Sequence, residues 1–221
     1  MTDDLLARLR ALDVCAVSDA LDALGLPPSV GVLGRLSGDG LVSGRAVTVE
    51  VVEGPAPPDA PKVHLGARAI DAAGPDSVIV VAHPGIDAGG WGGVLSNGAR
   101  AKGVAGVIVD GPIRDIDEAR ALDFPTFGRG TTSRTARGRV HEARSGQPVT
   151  IAGTRVAPGD YVIGDGSGVA FVPAEMAEAV VAKAERIAAR ERLMTADLLA
   201  GRPAVAVLGA DYESMLEAGD E

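Results

Sequence analysis

Two short apolar runs, SVIVVA (77–82) and VAGVIVDG (104–111), bracket a glycine-rich loop and a small-residue segment of helical length. Each run suits one buried strand, and the loop between them, HPGIDAGGWGG, extends neither. A strand, a helix and a second strand in that order favour a parallel α/β layer. No other stretch constrains the fold as tightly.

The flanking sequence fills in around this unit. Residues 3–12 and 16–24 predict two N-terminal helices, the second capped by Ser18 or Asp19 and ended by Gly25. GRAVTVEVV (44–52) alternates and reads as a strand, and the proline-rich GPAPPDAP (54–61) cannot extend it. Helices are expected over 62–73, over 93–103 and in RDIDEARALD (114–123). From 124 to 173 come short strands near FPTFGRG, QPVTIAG and DYVIGDGSGVAFVP with no helix between them, which asks for a second β layer or a small barrel-like unit. Residues 174–200 predict one long helix, and the tail after Gly201 is weakly specified. With no clear linker, this is one α/β domain: N-terminal helices in 1–25, a core over 26–173, and a C-terminal helix and tail over 174–221.

Composition narrows the function. Apolar residues make up 46% and aromatics 3%, so the core is aliphatic. A net charge of −9 gives no footprint for a phosphate backbone, which argues against nucleic acid. Arg129, Arg134, Arg137, Arg139 and Arg144 cluster, but glycines and hydroxyls separate them without aromatics, as in a solvated or subunit-facing loop. The single cysteine, Cys15, rules out an intrachain disulfide and reads as a small buried hydrophobe. No apolar run approaches the roughly 20 residues of a membrane span. MTDDLLARLRALD lacks the features of a signal peptide, so a cytoplasmic protein is expected.

The chemistry concentrates in one stretch. GGWGGVL misses the G-x-G-x-x-G spacing, with Leu95 where the third glycine belongs, and no Gly-Lys-Ser/Thr follows. Glycines before a helix still bare backbone N–H groups, and the helix dipole favours an anion there, carboxylate or phosphate; a plain loop with glycine turns is the alternative. The strand ending in VIVDG delivers Arg114 and Asp115 to a carboxyl edge, where open α/β sheets bind ligands. Arg can grip a carboxylate, and Asp is a hard donor for Mg2+ or Mn2+. Alternatively, Asp115 and Glu118 form a capping box and Arg114 bridges to a nearby acid. His64, His83 and His141 share no ligand spacing, and Trp91 suits a packing anchor. On the last helix, Met176, Val180, Ala184, Ile187, Glu191, Met194 and Leu198 make one stripe, in which Glu191 is the charged member.

GWGGVLSNGARAKGVAGVIVDGPIRD (90–115), with VSDALD (17–22) and GDGSGVAFVP (164–173), resembles the RraA-like family, which includes class II 4-hydroxy-4-methyl-2-oxoglutarate/4-carboxy-4-hydroxy-2-oxoadipate aldolases. The resemblance spans about residues 14–200 and implies a swivelling β/β/α sandwich, assembled as a homotrimer or homohexamer with sites between subunits. It implies that Asp115 is the one direct protein ligand of a divalent cation, Mg2+ or Mn2+, and that Arg114 holds a pyruvyl group. Gly92, Gly93, Val94 and Leu95 would then present amides to the carboxylate of a small 2-oxo acid. The implied reaction is metal-assisted cleavage of a 4-hydroxy-2-oxo acid through a pyruvate enolate, with oxaloacetate decarboxylation as a side activity. An acid from the last helix reaches a neighbour's site in the family, and Glu191 is the candidate; the alternative is a partly buried Glu paired with an arginine such as Arg190 or Arg192 of another subunit. Two positions depart from the pattern: Gly93 stands where aldolases of this group commonly carry an acid, and Ser167 stands where GD-x-D-G has a carboxylate. Other members are described as ribonuclease inhibitors, so a regulatory binding protein is the alternative. The methyltransferase name also attached to the family has no supporting cofactor motif here.

Overall fold

The structure, a computed structural model, describes residues 3–209. It opens with α1 (Asp4–Leu9) and α2 (Val14–Ala23). The cap of α2 is Asp13, whose Oδ1 accepts from the Ala16 N–H at 2.8 Å, not Ser18 or Asp19. Val14, Val17 and Leu21 are buried at helical spacing, so the helix starts where that apolar stripe starts. Gly25, left-handed at φ 64°, follows its end as expected. Cys15 lies beside the stripe and is exposed, which corrects the buried placement expected from its apolar neighbours.

Next come β1 (Gly34–Ser37), β2 (Val42–Glu53), α3 (Ala67–Ala72), β3 (Ser77–Ala82), α4 (Gly93–Ala101), β4 (Gly106–Val109) and β5 (Pro112–Ile113). After them run α5 (Ile116–Ala121), β6 (Thr126–Gly128), β7 (Gly130–Thr131), β8 (Val140–Ser145), β9 (Val149–Ile151) and β10 (Thr154–Val156). The chain closes with β11 (Tyr161–Gly164), β12 (Val169–Val172), a 3-10 turn at Ala174–Met176, α6 (Ala177–Leu199) and α7 (Ala204–Val207). Helix α3 is shorter than the 62–73 prediction because the left-handed Gly66 sits at its N-cap and delays helical geometry to Ala67. Residues 210–221 of the weakly specified tail lie outside the described residues.

Strands β2, β3, β4 and β6 are parallel neighbours, as the strand–helix–strand unit requires. Strand β1 adds antiparallel to β6 at one edge, and the β11–β12 hairpin adds antiparallel to β2 at the other. The long β2 serves further partners: Val42–Arg45 pairs with β11, and Val49–Glu53 with β8. Val30 bridges Val169 of β12 while the same segment, from Gly34, lies on β6, so the sheet curls toward closure. The strands expected between 124 and 173 mostly extend this sheet, and β9–β10 is a separate ladder packed on it.

Alternation sorts the core. Ile79, Val81, Val107 and Val109 face α3 and α4 together with Trp91 and Leu95. Val78, Val80 and Ile108 face inward to Phe127, Ile151 and Phe171. A third cluster packs α1, α2 and α6 on β11–β12 through Leu9, Val17, Leu21, Ile163 and Ile187. The result is a mixed α/β single domain with a curled sheet and a long C-terminal helix. Ion pairs tie its first residues down: Arg8 holds Glu178 and Glu185, and Arg45 holds Asp3, which also accepts from the Tyr161 hydroxyl. Among the described residues no helix is long and apolar enough to cross a membrane.

Candidate active site

Past the end of β4, the chain runs through β5 to Arg114 and Asp115 at the carboxyl end of the parallel strands. The glycine loop is zipped to this segment by backbone bonds: Gly90 N–H donates to Pro112 O at 2.9 Å, and Arg114 N–H to Trp91 O at 3.0 Å. Trp91 is buried in the helix-side core, with its indole N–H on Ser96 Oγ at 3.1 Å, so it anchors the loop by packing.

Asp115 sits at the N-cap of α5 in the left-handed region, φ 58°, a conformation costing about 1–3 kcal/mol that Asp tolerates better than most residues. Its carboxylate makes no cap bond to α5. It turns back to α4, where Oδ2 accepts the Gly93 N–H at 3.1 Å, and Arg114 Nε lies 3.3 Å from the same oxygen. Glu118 also points away from its own helix: Oε1 accepts from Asn97 Nδ2 at 2.6 Å, and that amide donates to Gly93 O at 2.9 Å. Spacing that looks like a capping box therefore serves the neighbouring helix instead, and the Arg114 bridge is to its own neighbour Asp115.

The bare backbone follows from these side chains. A Cβ on Gly92 would stand 2.9 Å from Asp115 Oδ2 and 3.1 Å from Arg114 Cγ. One on Gly93 would overlap the Glu118 carboxylate. Any larger residue at either position displaces the charged segment. Asp115 uses the Gly93 N–H, which leaves Val94 and Leu95 as first-turn amides with no acceptor inside α4, at the positive end of its dipole.

Gly92, Gly93, Val94, Leu95, Arg114 and Asp115 all line one cavity of about 240 Å³. His64, Leu65, Ala136 and Arg137 are shared with a larger cavity of about 740 Å³ beneath the proline-rich loop. Within the arginine cluster, Arg129 pairs with Asp110, Arg134 with Asp87 and Arg144 with Glu50. His83 lies outside this cavity; its Nδ1 accepts the Gly85 N–H, and burial pushes its pKa below the usual value. Among the described residues no group of three or more His, Cys, Asp or Glu could hold a metal ion. A cation here would have Asp115, a partly exposed hard oxygen donor, as its protein ligand and would take the rest of its shell from water and ligand oxygens.

Glu191 is not in this cavity. It lies on α6, where burial and the charges of Asp13 and Asp19 raise its pKa. Sequence reasoning saw Glu118 only as a cap, and its spacing from Asp115 carries no other signal, because Asp115 is a left-handed residue outside α5.

Residues 14–171 match the family model described as RraA-like, Aldolase/RraA. A Halalkalibacterium halodurans protein provisionally named 4-hydroxy-4-methyl-2-oxoglutarate aldolase is 34% identical over 209 residues, covering 90% of this chain and 92% of that protein. Protein DlpA of Legionella pneumophila is 31% identical over 195 residues; the match covers 87% of this chain but only 31% of DlpA. Among solved structures, Streptomyces coelicolor RraAS2 is described as an unusual member of the RNase ES inhibitor RraA protein family. It matches with a TM-score of 0.78 at 26% identity, over 87% of this chain and 96% of that one.

Proposed function

The chain belongs to the RraA-like family, and from that footing we propose that it is a carbon–carbon lyase. In this reading it is a divalent-metal-dependent class II aldolase that cleaves a 4-hydroxy-2-oxo acid to pyruvate and a second carbonyl compound. The observation that carries the reading is one cavity walled by Arg114 and Asp115 on one side and by the N-terminus of α4 on the other.

Asp115 would hold Mg2+ or Mn2+, which when bound supplies Lewis-acid polarisation of the 2-oxo group. The substrate carboxylate takes the Val94 and Leu95 amides at the positive end of α4. Arg114 holds the 2-oxo oxygen and stabilises the negative charge that builds on it as the C3–C4 bond breaks. The 4-hydroxyl proton passes to a bound water as C4 becomes the second carbonyl, and the enolate then takes a proton at C3 to give pyruvate. Trp91 and Leu65 close the apolar side of the cavity and limit water. The group on C4 extends into the larger neighbouring cavity. Oxaloacetate decarboxylation passes through the same enolate and is the side activity of this reading.

Glu191 acts in this reading on a neighbouring copy's cavity, in a homotrimer or homohexamer. Supporting the assembly, Leu193, Leu199 and Val205 are exposed on α6 and α7 beyond the core. A small 2-oxo acid is the partner, not nucleic acid or membrane, and the setting is cytoplasmic. A regulatory role as a ribonuclease inhibitor is the second reading, favoured by the description of the Streptomyces coelicolor structure.

Pyruvate release from a panel of 4-hydroxy-2-oxo acids and oxaloacetate, with Mg2+ or Mn2+ and with EDTA, separates the two. The lyase reading expects turnover that EDTA abolishes. Metal-independent turnover, or undiminished turnover in Asp115→Ala, overturns it. Inhibition of a ribonuclease without turnover of any substrate favours the second reading.

A further inference from the structure

Three side chains of the Arg114–Glu118 segment stand against the glycines of the loop, and two have roles above. The third, Glu118, is unaccounted for. Its carboxylate fills the space that a side chain on residue 93 would occupy, so glycine at 93 and glutamate at 118 fit together as a pair. Asn97 fixes Oε1 and also ties to Gly93 O, which holds the carboxylate in register with the first turn of α4. Glu118 is exposed, and among the described residues its Oε2 accepts no hydrogen bond and makes no ion pair. Helix α4 does not need this group as a cap, since Asp115 already takes the Gly93 N–H. Glu118 does not line the cavity that Val94 and Leu95 open onto; with Arg114 and Asp115 it lines an adjoining cavity of about 440 Å³. Both carboxylates stand against Gly93, so a cation on Asp115 or its water can face Glu118 from that side.

We propose that Glu118 is a further positioning residue of this site. Through Oε2 it orients water beside the cation held by Asp115, and it supplies from α5 a carboxylate that residue 93, as glycine, cannot. The proposal rests on the lyase reading for its effect on turnover, but not for its effect on bound water.

Four variants test it: Glu118→Gln, Glu118→Ala, Gly93→Asp, and the double variant Gly93→Asp/Glu118→Ala. Two readouts are compared, kcat for pyruvate release and the Mn2+ enhancement of water-proton relaxation, with Mn2+ affinity measured by EPR. Removing the Glu118 carboxylate is expected to lower kcat about 10–100-fold, with KM changed less than kcat, and to change the relaxation enhancement of the Mn2+-loaded protein. Gly93→Asp alone collides with Glu118 and is expected to be impaired. In the Glu118→Ala background the same substitution grows into the vacated space and restores most of the loss, a reversal of sign that contact-making neighbours allow. A purely space-filling Glu118 is separated by one control, Gly93→Asn/Glu118→Ala, which refills the same volume without a carboxylate: equal rescue by Asn overturns the proposal.

A kcat within twofold of wild type in Glu118→Ala, or a double variant that binds Mn2+ normally but recovers neither readout, overturns the proposal. If no acid turns over in the wild type, the lyase reading fails alone, and the relaxation comparison still decides Glu118. Unchanged relaxation there overturns the proposal, as does a wild type that binds no Mn2+.

Discussion

Carboxylates gather in two regions of this molecule, and the chain treats them in opposite ways. At the start of α5, Asp115 receives the Gly93 N–H and the Arg114 guanidinium, and Glu118 receives the Asn97 amide. Where α2 meets α6, burial raises the pKa of Asp19 and Glu191, and neighbouring acids add to it, Asp22 and Asp13 for the first, Asp13 and Asp19 for the second. The first group is held in place by donors that the loop and α4 present; the second is held against its own electrostatics. Residue type does not decide whether an acid stabilises a fold. The donors aimed at it do.

The largest expected effect comes from making one chemical change in both regions. Asp115→Asn keeps an oxygen for the Gly93 N–H and tolerates left-handed geometry, so folding should be nearly unchanged. It removes the charge that would hold a cation, and kcat/KM for pyruvate release should fall about 10²–10³-fold. Asp19→Asn, by contrast, should raise the melting temperature. Comparable turnover in Asp115→Asn and wild type would break the contrast at its stronger end.

Next in size is Gly92→Ala. Its Cβ would meet Asp115 Oδ2 and Arg114 Cγ, and displacing that pair by a fraction of an ångström should cost roughly 10–100-fold in kcat. Because Gly92 lies outside the hydrophobic clusters, circular dichroism should show an intact fold. A fully active Gly92→Ala would mean that the close approach of charge to backbone has no catalytic meaning.

The same contrast explains what could be read in the sequence. Strands β3 and β4 and helices α4 and α6 were legible because apolar periodicity encodes them directly. Strand β8, VHEARS, was not, since its polar side chains carry no alternation and its place is set by pairing with the far end of β2. Strand β1 is short and half-exposed, and pairing with β6 alone defines it. At the site, Gly92 to Leu95 and Arg114–Asp115 were visible as one continuous stretch. Glu118 was hidden behind a capping pattern, because sequence spacing does not show that the left-handed turn at Asp115 aims both acids at another helix. Nor does it show what a neighbouring copy would bring to Glu191.

A mixing experiment addresses that last point. If Glu191 serves a neighbour's cavity, Asp115→Ala and Glu191→Ala chains are each deficient, but co-assembly unites an intact Asp115 with an intact Glu191 at some sites. Random one-to-one mixing after reversible dissociation should recover about a quarter of wild-type activity in a cyclic assembly. No recovery, with mixed oligomers verified by mass, would return Glu191 to a role within its own chain.

The smallest effect is on stability, and its sign separates the two kinds of acid. Asp3 and Glu185 are held below their unfolded values of 3.8 and 4.5. For Asp3 burial pushes upward, but the Arg45 guanidinium, the Leu6 N–H and the Tyr161 hydroxyl together outweigh it; for Glu185 the bonds from Arg8 dominate. Their stabilisation is complete above those values and is lost as pH falls below them. Asp19 and Glu191 are raised above the same two unfolded values. The folded chain therefore takes up their protons first, and stability is gained as pH falls from neutrality toward 4.5. In EDTA, the melting temperature should rise slightly as pH falls from neutrality toward 4.5 and then fall below it as the ion pairs titrate. Glu191→Gln should raise it by about 1–2 °C at neutral pH and flatten the rise, because the substitution removes the charge that protonation would neutralise. A lower melting temperature in Glu191→Gln would show that Glu191 already meets a cation in the assembled protein, and the two regions would then be alike.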